Sequence, residues 1–419
     1  MKKNIFFPSL FIFLCFWYLT LLAQSSSYNK DLQLVESVPV ETNLGIKQTE
    51  RTLPVWLSMI NNAKKSIDLE TFYVSNKAGK PLEKVIKAVL KAAARGVKVR
   101  IISDGKFYKL YSKTLNKLNK ADNITVRILS YFDKMDGVLH AKYFIVDNNE
   151  TFIGSQNWDW RSFNQIQELG VRIHNARLAR YILRIFDLDW KLSKLKSINK
   201  PLKLKPIPAK DIINETHPIE LSYNKKPVFL YPTFSPIGYI YPGMISDESA
   251  ILKLINGAHK RVLIQLLTYN PDEYGVFYHT LDDALRRAAL RGVKVKLLVS
   301  NWNLRKPGVN FLKSLQVIPN IQVKFSVIPQ YSGGFIPFAR VEHCKYLIVD
   351  NNLLWLGSSN WAKSYFYSSR NVGVVIRGET VNSTVAKVFF KSWKSSYAKF
   401  INPCKNYKSP RISMNKDSF

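Results

Sequence analysis

Acidic residues are scarce in this chain. Its 419 residues carry 30 Asp+Glu against 62 Lys+Arg, a formal net charge of +32. So large an excess of one sign points to phosphate-rich partners, either nucleic acid or an anionic membrane surface. Cysteine is scarcer still: there are three, and Cys15 sits in an N-terminal apolar segment. Cys344 and Cys404 can close at most one bridge, which excludes a disulfide framework and leaves large apolar cores to hold the fold. Long apolar runs are missing after Ala23, so the remainder of the chain is read as lying outside a membrane. Apolar residues still make up 46% and aromatics 13%, which excludes a disordered or collagen-like chain. The length allows two to three domains with cores of their own.

The first 25 residues read as a targeting segment. Lys2 and Lys3 precede an apolar run from Ile5 to Ala23, interrupted by Pro8, Ser9 and Thr20. This is the pattern of a secretory signal peptide, with Ala23 and Ser25 at the small-residue positions of a cleavage site. The run is also long enough to span a bilayer, so an uncleaved signal anchor is the rival reading. Asn-x-Ser/Thr sequons at Asn123, Asn149, Asn214 and Asn382 are glycosylation candidates and fit a secretory route.

The chain repeats itself. Ala94-Arg95-Gly96-Val97-Lys98-Val99 returns as Leu290-Arg291-Gly292-Val293-Lys294-Val295, offset by 196. Each copy follows a helical pattern, and before that a strand-like run (Ser66 to Tyr73; Val262 to Tyr269), which makes a βαβ unit. Downstream, His140-Ala141-Lys142-Tyr143 with Asp147 returns as His343-Cys344-Lys345-Tyr346 with Asp350, offset by 203. Gly154-Ser155-Gln156-Asn157-Trp158 returns as Gly357-Ser358-Ser359-Asn360-Trp361 at the same offset. The fold class expected is α/β: two duplicated lobes with mixed sheets, related by a pseudo-twofold, with a site at their interface. The lobes are placed at 26–190 and 231–419. Between them, 191–230 is read as a basic linker, since residues 191–210 hold seven lysines and three prolines.

On a strand, alternation puts His140 and Lys142 on one face, and likewise His343 and Lys345. Ala141 and Cys344 then point the other way, so Cys344 is read as a small buried filler rather than a nucleophile. Two lysines, two histidines and the carboxamides of Asn157 and Asn360, converging across a twofold, would form a cradle for an oxyanion with no carboxylate cluster for a metal. Such a cradle suits a phosphodiester: the lysines neutralise the non-bridging oxygens and the carboxamides donate to them. One imidazole can attack phosphorus while the other protonates the leaving oxygen. Neither a cofactor nor a metal is expected, and activity is expected to survive EDTA. Asp147 and Asp350, at the ends of their strands, are read as structural acceptors, with Ser155 and Ser358 behind the reacting groups. His174, His217, His259 and His279 lack a repeated context and are read as ordinary histidines. Trp158, Trp160 and Trp361 are read as packing the interface between halves, with stacking of a base or acyl chain as the alternative.

The doubled His-x-Lys-x4-Asp, each with a following Gly-Ser-x-Asn, resembles the signature of the phospholipase D superfamily. Leu34-Val35-Glu36-Ser37-Val38-Pro39, Trp158-Asp159-Trp160-Arg161-Ser162 and Ile336-Pro337-Phe338-Ala339-Arg340-Val341 narrow the resemblance to its animal lysosomal branch and related poxvirus proteins. The resemblance runs from about Leu32 to about Arg377. It implies a two-lobed, metal-independent phosphodiesterase working through a phosphohistidine, signal-anchored or secreted, with 5′-end-directed exonuclease activity on single-stranded DNA and RNA. It also implies a carboxylate orienting a catalytic imidazole. Glu168, 28 residues after His140, takes that place, whereas Asn371 stands 28 residues after His343. On that ground, and because the resemblance also favours the histidine of the first half, His140 is expected to be the nucleophile and His343 the general acid. The chain departs from the lysosomal branch in keeping both aspartates and lacking most of its cysteines. Alternatives to the nuclease are a phospholipase D or transphosphatidylase on membrane phospholipids, and a catalytically silent membrane-organising protein. The partners expected are single-stranded nucleic acid or anionic phospholipid, a membrane through the N-terminal segment, and a second copy of the chain.

Overall fold

The structure is a computed structural model and describes residues 31–195, 202–273 and 275–413. The N-terminal segment read as targeting lies outside the described residues, as do residues 196–201 of the lysine-rich stretch. Among the described residues no helix is long and apolar enough to cross a membrane.

The first lobe is built on an eight-stranded mixed sheet. Its strands are β1 (Leu32–Ser37), β2 (Glu50–Arg51), β3 (Ser66–Thr71), β4 (Lys98–Asp104), β5 (Ile124–Leu129), β6 (Lys142–Val146), β7 (Glu150–Gly154) and β8 (Glu168–His174). They lie in the order β2-β1-β8-β7-β6-β3-β4-β5, with β3, β4 and β5 parallel and β6 antiparallel to β3. Its helices are α1 (Thr52–Asn62), α2 (Pro81–Ala94), α3 (Gly105–Asn119) and α4 (Ala176–Leu192).

The second lobe repeats the plan on a ten-stranded sheet. Its strands are β9 (Ile219–Tyr223), β10 (Lys226–Ser235), β11 (Arg261–Leu266), β12 (Lys294–Ser300), β13 (Ile321–Ser326), β14 (Lys345–Val349), β15 (Leu353–Gly357), β16 (Asn371–Arg377) and β17 (Ala398–Phe400). The order is β9-β10-β16-β15-β14-β11-β12-β13-β17, with the short strand Ile245–Ser246 beside β10. Its helices are α5 (Asp247–Asn256), α6 (Thr280–Leu290), α7 (Gly308–Gln316), the short α8 (Lys363–Tyr367) and α9 (Glu379–Trp393). The duplication and the βαβ units are as expected.

The repeated Arg-Gly turn has a physical basis. Gly96 and Gly292 hold φ of +93° and +88°, a backbone region that costs any residue with a Cβ. The neighbouring arginines reach past the helix before them to the end of the earlier one, α1 or α5. Arg95 donates to the carbonyls of Asn61 (3.0 Å) and Ala63 (3.3 Å), and Arg291 to those of Ile255 (3.0 Å) and Ala258 (3.4 Å). Carbonyls left unpaired by a helix terminus are thereby satisfied twice over.

Both faces of each central strand are buried, which is why the motif strands read as near-continuous apolar runs. On β6, Phe144 and Val146 join the core under α1 and α2. Ala141, Tyr143 and Ile145 face the other way, into a core that runs on through α4 into the second lobe. Cys344 occupies the position equivalent to Ala141. It is fully buried and free, as expected of a filler, and Cys404 is free and exposed.

Two expectations need correction. Of the 191–230 linker, the last part is not linker: β9 and β10 form an antiparallel hairpin at the edge of the second sheet. The alternation of buried Ile219, Leu221 and Tyr223 with exposed residues is a two-residue period, obscured by the surrounding lysines and prolines. Among the sequons, Asn382 is buried on α9, and its Nδ2 donates to the Gly378 carbonyl at 2.7 Å, so a glycan there would disrupt the helix start. The Nδ2 of Asn123 is similarly engaged with the Ala93 carbonyl, and that of Asn149 with His174. Asn214, whose Oδ1 accepts from Thr216 and His217 on an exposed turn, is the sequon that a glycan fits best.

Candidate active site

The two histidines stand just before β6 and β14, at the seam between the lobes. Their backbones are tied across that seam. His140 donates its N–H to the Arg370 carbonyl (2.9 Å), and His343 to the Gln167 carbonyl (2.8 Å). Arg370 and Gln167 immediately precede β16 and β8, so each imidazole faces the first residue of the other lobe's strand. The consequence is a crossed arrangement. Nδ1 of His343 lies 2.6 Å from Oε1 of Glu168, and Nδ1 of His140 lies 3.0 Å from Oδ1 of Asn371. The expected pairing of Glu168 with His140 is therefore wrong, and with it one of the two reasons for making His140 the nucleophile. Sequence spacing locates the carboxylate correctly, 28 residues after one histidine, but a twofold hands it to the other.

The Asn371 side chain has a defined orientation. Its Nδ2 donates to Ser235 Oγ (3.0 Å) and to the carbonyls of Tyr365 (2.9 Å) and Ser369 (3.2 Å). Its Oδ1 is thus the acceptor, and Nδ1 of His140 carries a proton. Ser358 Oγ also donates to this Oδ1 (3.0 Å), and Ser155 Oγ accepts from the Leu169 N–H (3.2 Å). Ser358 thus touches the partner of His140, and Ser155 holds the backbone next to Glu168.

Lys142 and Lys345 are buried, each with Nζ donating to the carbonyl of the histidine two residues back, at 2.6 and 2.8 Å. Asn157 and Asn360 are buried beside them, each with an Oδ1 lacking a hydrogen-bond partner. Seven buried polar side chains therefore converge here: two imidazoles, two ammonium groups, two carboxamides and Glu168.

Electrostatics follow from that crowding. Burial, and then the two lysines, push both imidazoles well below their usual pKa. Burial lowers Lys142 strongly, with Lys345 adding to the effect, and brings Lys345 to about 7 despite Glu168. Burial raises Glu168 well above the carboxylate range, against the pull of Lys345. The cradle is short of negative charge, and an incoming anion restores protons to its cations. Anion affinity should hence be greatest with Lys345 protonated and decline as pH rises through about 7. Titration calorimetry with sulfate is expected to show a Kd that rises with pH through about 7, by about tenfold per pH unit above 7.5. A flat Kd from pH 6 to 9 would exclude the depressed lysine.

A family model described as "Cardiolipin synthase, PLD-like domain" matches the chain twice, over residues 56–190 and 251–393, one match per lobe. The chain belongs to the phospholipase D superfamily. It is a phosphodiesterase, the hydrolytic chemistry of that superfamily. Among curated relatives, "Probable phospholipase D F09G2.8" of Caenorhabditis elegans is 31% identical over 87% of this chain and 70% of its own length. "5'-3' exonuclease PLD3" of Rattus norvegicus is 31% identical over 87% of this chain and 79% of its own. The phosphatidylserine synthase of Haemophilus influenzae Rd KW20 shares the fold, with a TM-score of 0.59 over 83% of this chain and 84% of its own, at 13% identity.

The repeated aspartates of this phospholipase D superfamily member are engaged with backbone. Asp147 accepts from the backbone N–H groups of Lys64, Lys65 and Ser66 at 2.6–2.9 Å, and Asp350 from those of His259, Lys260 and Arg261 at 2.7–3.2 Å. Both aspartates tie their strand end to the turn before β3 or β11, the structural role expected. Trp158 and Trp361 do pack, though inside their own lobes rather than between them: Trp158 against Trp56 and Phe144, Trp361 against Tyr269. Trp160 is half-buried, with Lys77, Lys80 and Arg161 over its ring. His217, His259 and His279 are exposed, and His174 is half-buried against Asn149. Sequence reasoning missed Asn371 as the partner of His140, Phe72 and Tyr365 as its ring contacts, and the clamp made by Arg370. The 28-residue spacing pointed at Asn371, but only as a missing acid.

Proposed function

We propose that this phosphodiesterase is an exonuclease on single-stranded DNA and RNA, acting through a phosphohistidine on His343 in the lumen of the secretory or lysosomal route. The observation that carries the mechanism is the crossed pairing. An N–P bond leaves positive charge on the attacking ring, and the Glu168 carboxylate stabilises that charge through Nδ1. The neutral Asn371 offers His140 no such support, so a protonated His140 gives up its proton readily.

In the first step Nε2 of His343 attacks phosphorus, the bond from phosphorus to the leaving oxygen breaks, and that oxygen takes the proton from Nε2 of His140. In the second, water passes a proton to Nε2 of His140 and attacks phosphorus, and the N–P bond breaks to restore His343. Lys142, Lys345, Asn157 and Asn360 hold the non-bridging oxygens throughout.

Nucleic acid as substrate is supported by the net charge of +32 and by the exonuclease named among the relatives. The test supplies the full chain with 5′-labelled single-stranded DNA and phosphatidylcholine vesicles side by side, with EDTA present. Nucleotide release that persists in EDTA and disappears in His140→Ala is expected. Headgroup release alone would establish the phospholipase reading instead, and turnover of neither substrate would overturn both.

A further inference from the structure

The two sides of the cradle are unlike. His140 is flanked by two aromatic rings, Phe72 from the first lobe at 5.0 Å and Tyr365 from the second at 4.9 Å, both edge-on. By the internal repeat, the positions matching them beside His343 are Thr268 and Ser162, neither of them aromatic. The aromatic side extends outward. Phe72 meets Phe107 at 4.2 Å, Phe107 stacks on Tyr73 at 5.8 Å, and Tyr73 stacks on Tyr111 at 4.8 Å, the last two pairs inclined by 21°. The ladder is held rigid from behind: the Tyr73 hydroxyl donates to Asp159 Oδ2 at 3.0 Å, and Arg161 grips the same carboxylate.

Phe107 and Tyr111 are half-buried and lie on α3, whose backbone leaves helical geometry at Tyr111. That helix carries Lys106, Lys109, Lys113 and Lys117 and no acid. Half-exposed rings at stacking distance beside a run of lysines satisfy the two requirements of a single strand, flat faces for bases and positive charge for phosphates. A lipid alcohol on this side would need neither stacked rings nor a lysine row.

We infer that the His140 side of the cradle is a base-stacking subsite, in which Phe107 and Tyr111 hold the base of the nucleoside that departs. This rests on the proposed nuclease reading and on His140 as the acid, because the group leaving phosphorus lies on the side of the residue that protonates it. On the His343 side the half-buried Trp302, packed against Leu267 and Val341, meets Phe338 edge to face at 6.3 Å instead of forming a stacked ladder, so the two sides present a base with unlike surfaces.

The test uses three thymidine dinucleotides: one complete, one abasic on the departing nucleoside and one abasic on the nucleoside that keeps the phosphate, the two sides being assigned from the products. Loss of the departing base is expected to lower kcat/KM about ten- to hundredfold in the unaltered enzyme, the usual effect of one stacked base. Loss of the other base is expected to change it less than about threefold. Phe107→Ala/Tyr111→Ala, or Tyr111→Ala alone if the double variant melts early, should erase the preference while leaving turnover of the departing-side abasic substrate unchanged. Tyr111→Phe, which keeps the ring, should retain the preference. Equal rates for the three substrates, or variants that slow all three alike, would overturn the subsite. Headgroup release from phosphatidylcholine with no turnover of any dinucleotide would overturn the nuclease reading and the subsite with it.

Discussion

His343→Ala is expected to abolish the covalent phosphoenzyme, whereas His140→Ala should still form it and then hold it. The distinction follows from the partners at Nδ1. With Glu168 behind it, the His343 ring can carry the charge of an N–P bond. With His140 replaced, no imidazole remains to activate water, and a substrate with an intrinsically good leaving group, such as a p-nitrophenyl ester, needs no acid for the first step. Loss of positioned acid–base catalysis typically costs 10²–10⁴-fold, so steady-state turnover by His140→Ala should fall by about that factor while a burst of nitrophenolate survives. Rapid mixing followed by phosphopeptide mapping measures both. A burst in His343→Ala, or a phosphate found on His140, would reverse the assignment. Glu168→Gln should behave as a weaker His343 variant, slowing phosphoenzyme formation while the imidazole stays in place.

The second large effect is expected at Arg370. Its side chain is fully buried at the seam, with Nε and Nη2 donating to the two oxygens of Asp189 on α4 at 2.7 and 2.9 Å. It also donates to the carbonyls of Ser235 (2.7 Å) and Tyr239 (2.9 Å). The network extends into the first lobe, where Tyr143 donates to Glu70 Oε2 at 2.6 Å. Burial, and then the neighbouring Asp189, raise the Glu70 carboxyl well above its ordinary range. Removing the guanidinium strands Asp189 without a counter-charge, at a cost of about 3–5 kcal/mol. Arg370→Met should thus lower the melting temperature by several degrees, and pairing it with Asp189→Leu should recover part of the loss, a coupling that a double-mutant cycle reads directly.

Arg370 also has a role beyond stability. Its N–H donates to the Val138 carbonyl at 2.9 Å and its carbonyl accepts from His140 at 2.9 Å, while the next residue, Asn371, orients the His140 ring. Loosening the clamp should lower kcat more than it raises KM, since the lysines and carboxamides proposed to bind the diester lie on other elements. Unchanged kcat in a folded Arg370→Met would separate the clamp from the chemistry.

The contrast between these residues shows what was legible in the chain and what was not. His140, Lys142, Asn157 and their counterparts His343, Lys345 and Asn360 stood out because two copies agreed in order and spacing, and strand alternation says which of them share a face. Asp147 and Asp350 could be read as structural for the same reason, since their place at a strand end beside a turn dictates what an aspartate can reach. The hairpin of β9 and β10 was obscured by lysines and prolines, although its two-residue alternation was present.

Scarcity of acids and cysteines, with the internal repeat, determined a basic, core-stabilised, duplicated α/β chain and a phosphate-binding cradle. Those are properties of composition and local periodicity, which survive without knowledge of how the lobes meet. Tertiary structure alone decided which imidazole Glu168 backs, because a twofold brings the start of each lobe's strand to the histidine of the other, and no spacing along one chain encodes that exchange. It also decided that Phe72, Phe107 and Tyr111 form one wall on one side of the phosphate site, joining residues that the sequence places on separate elements.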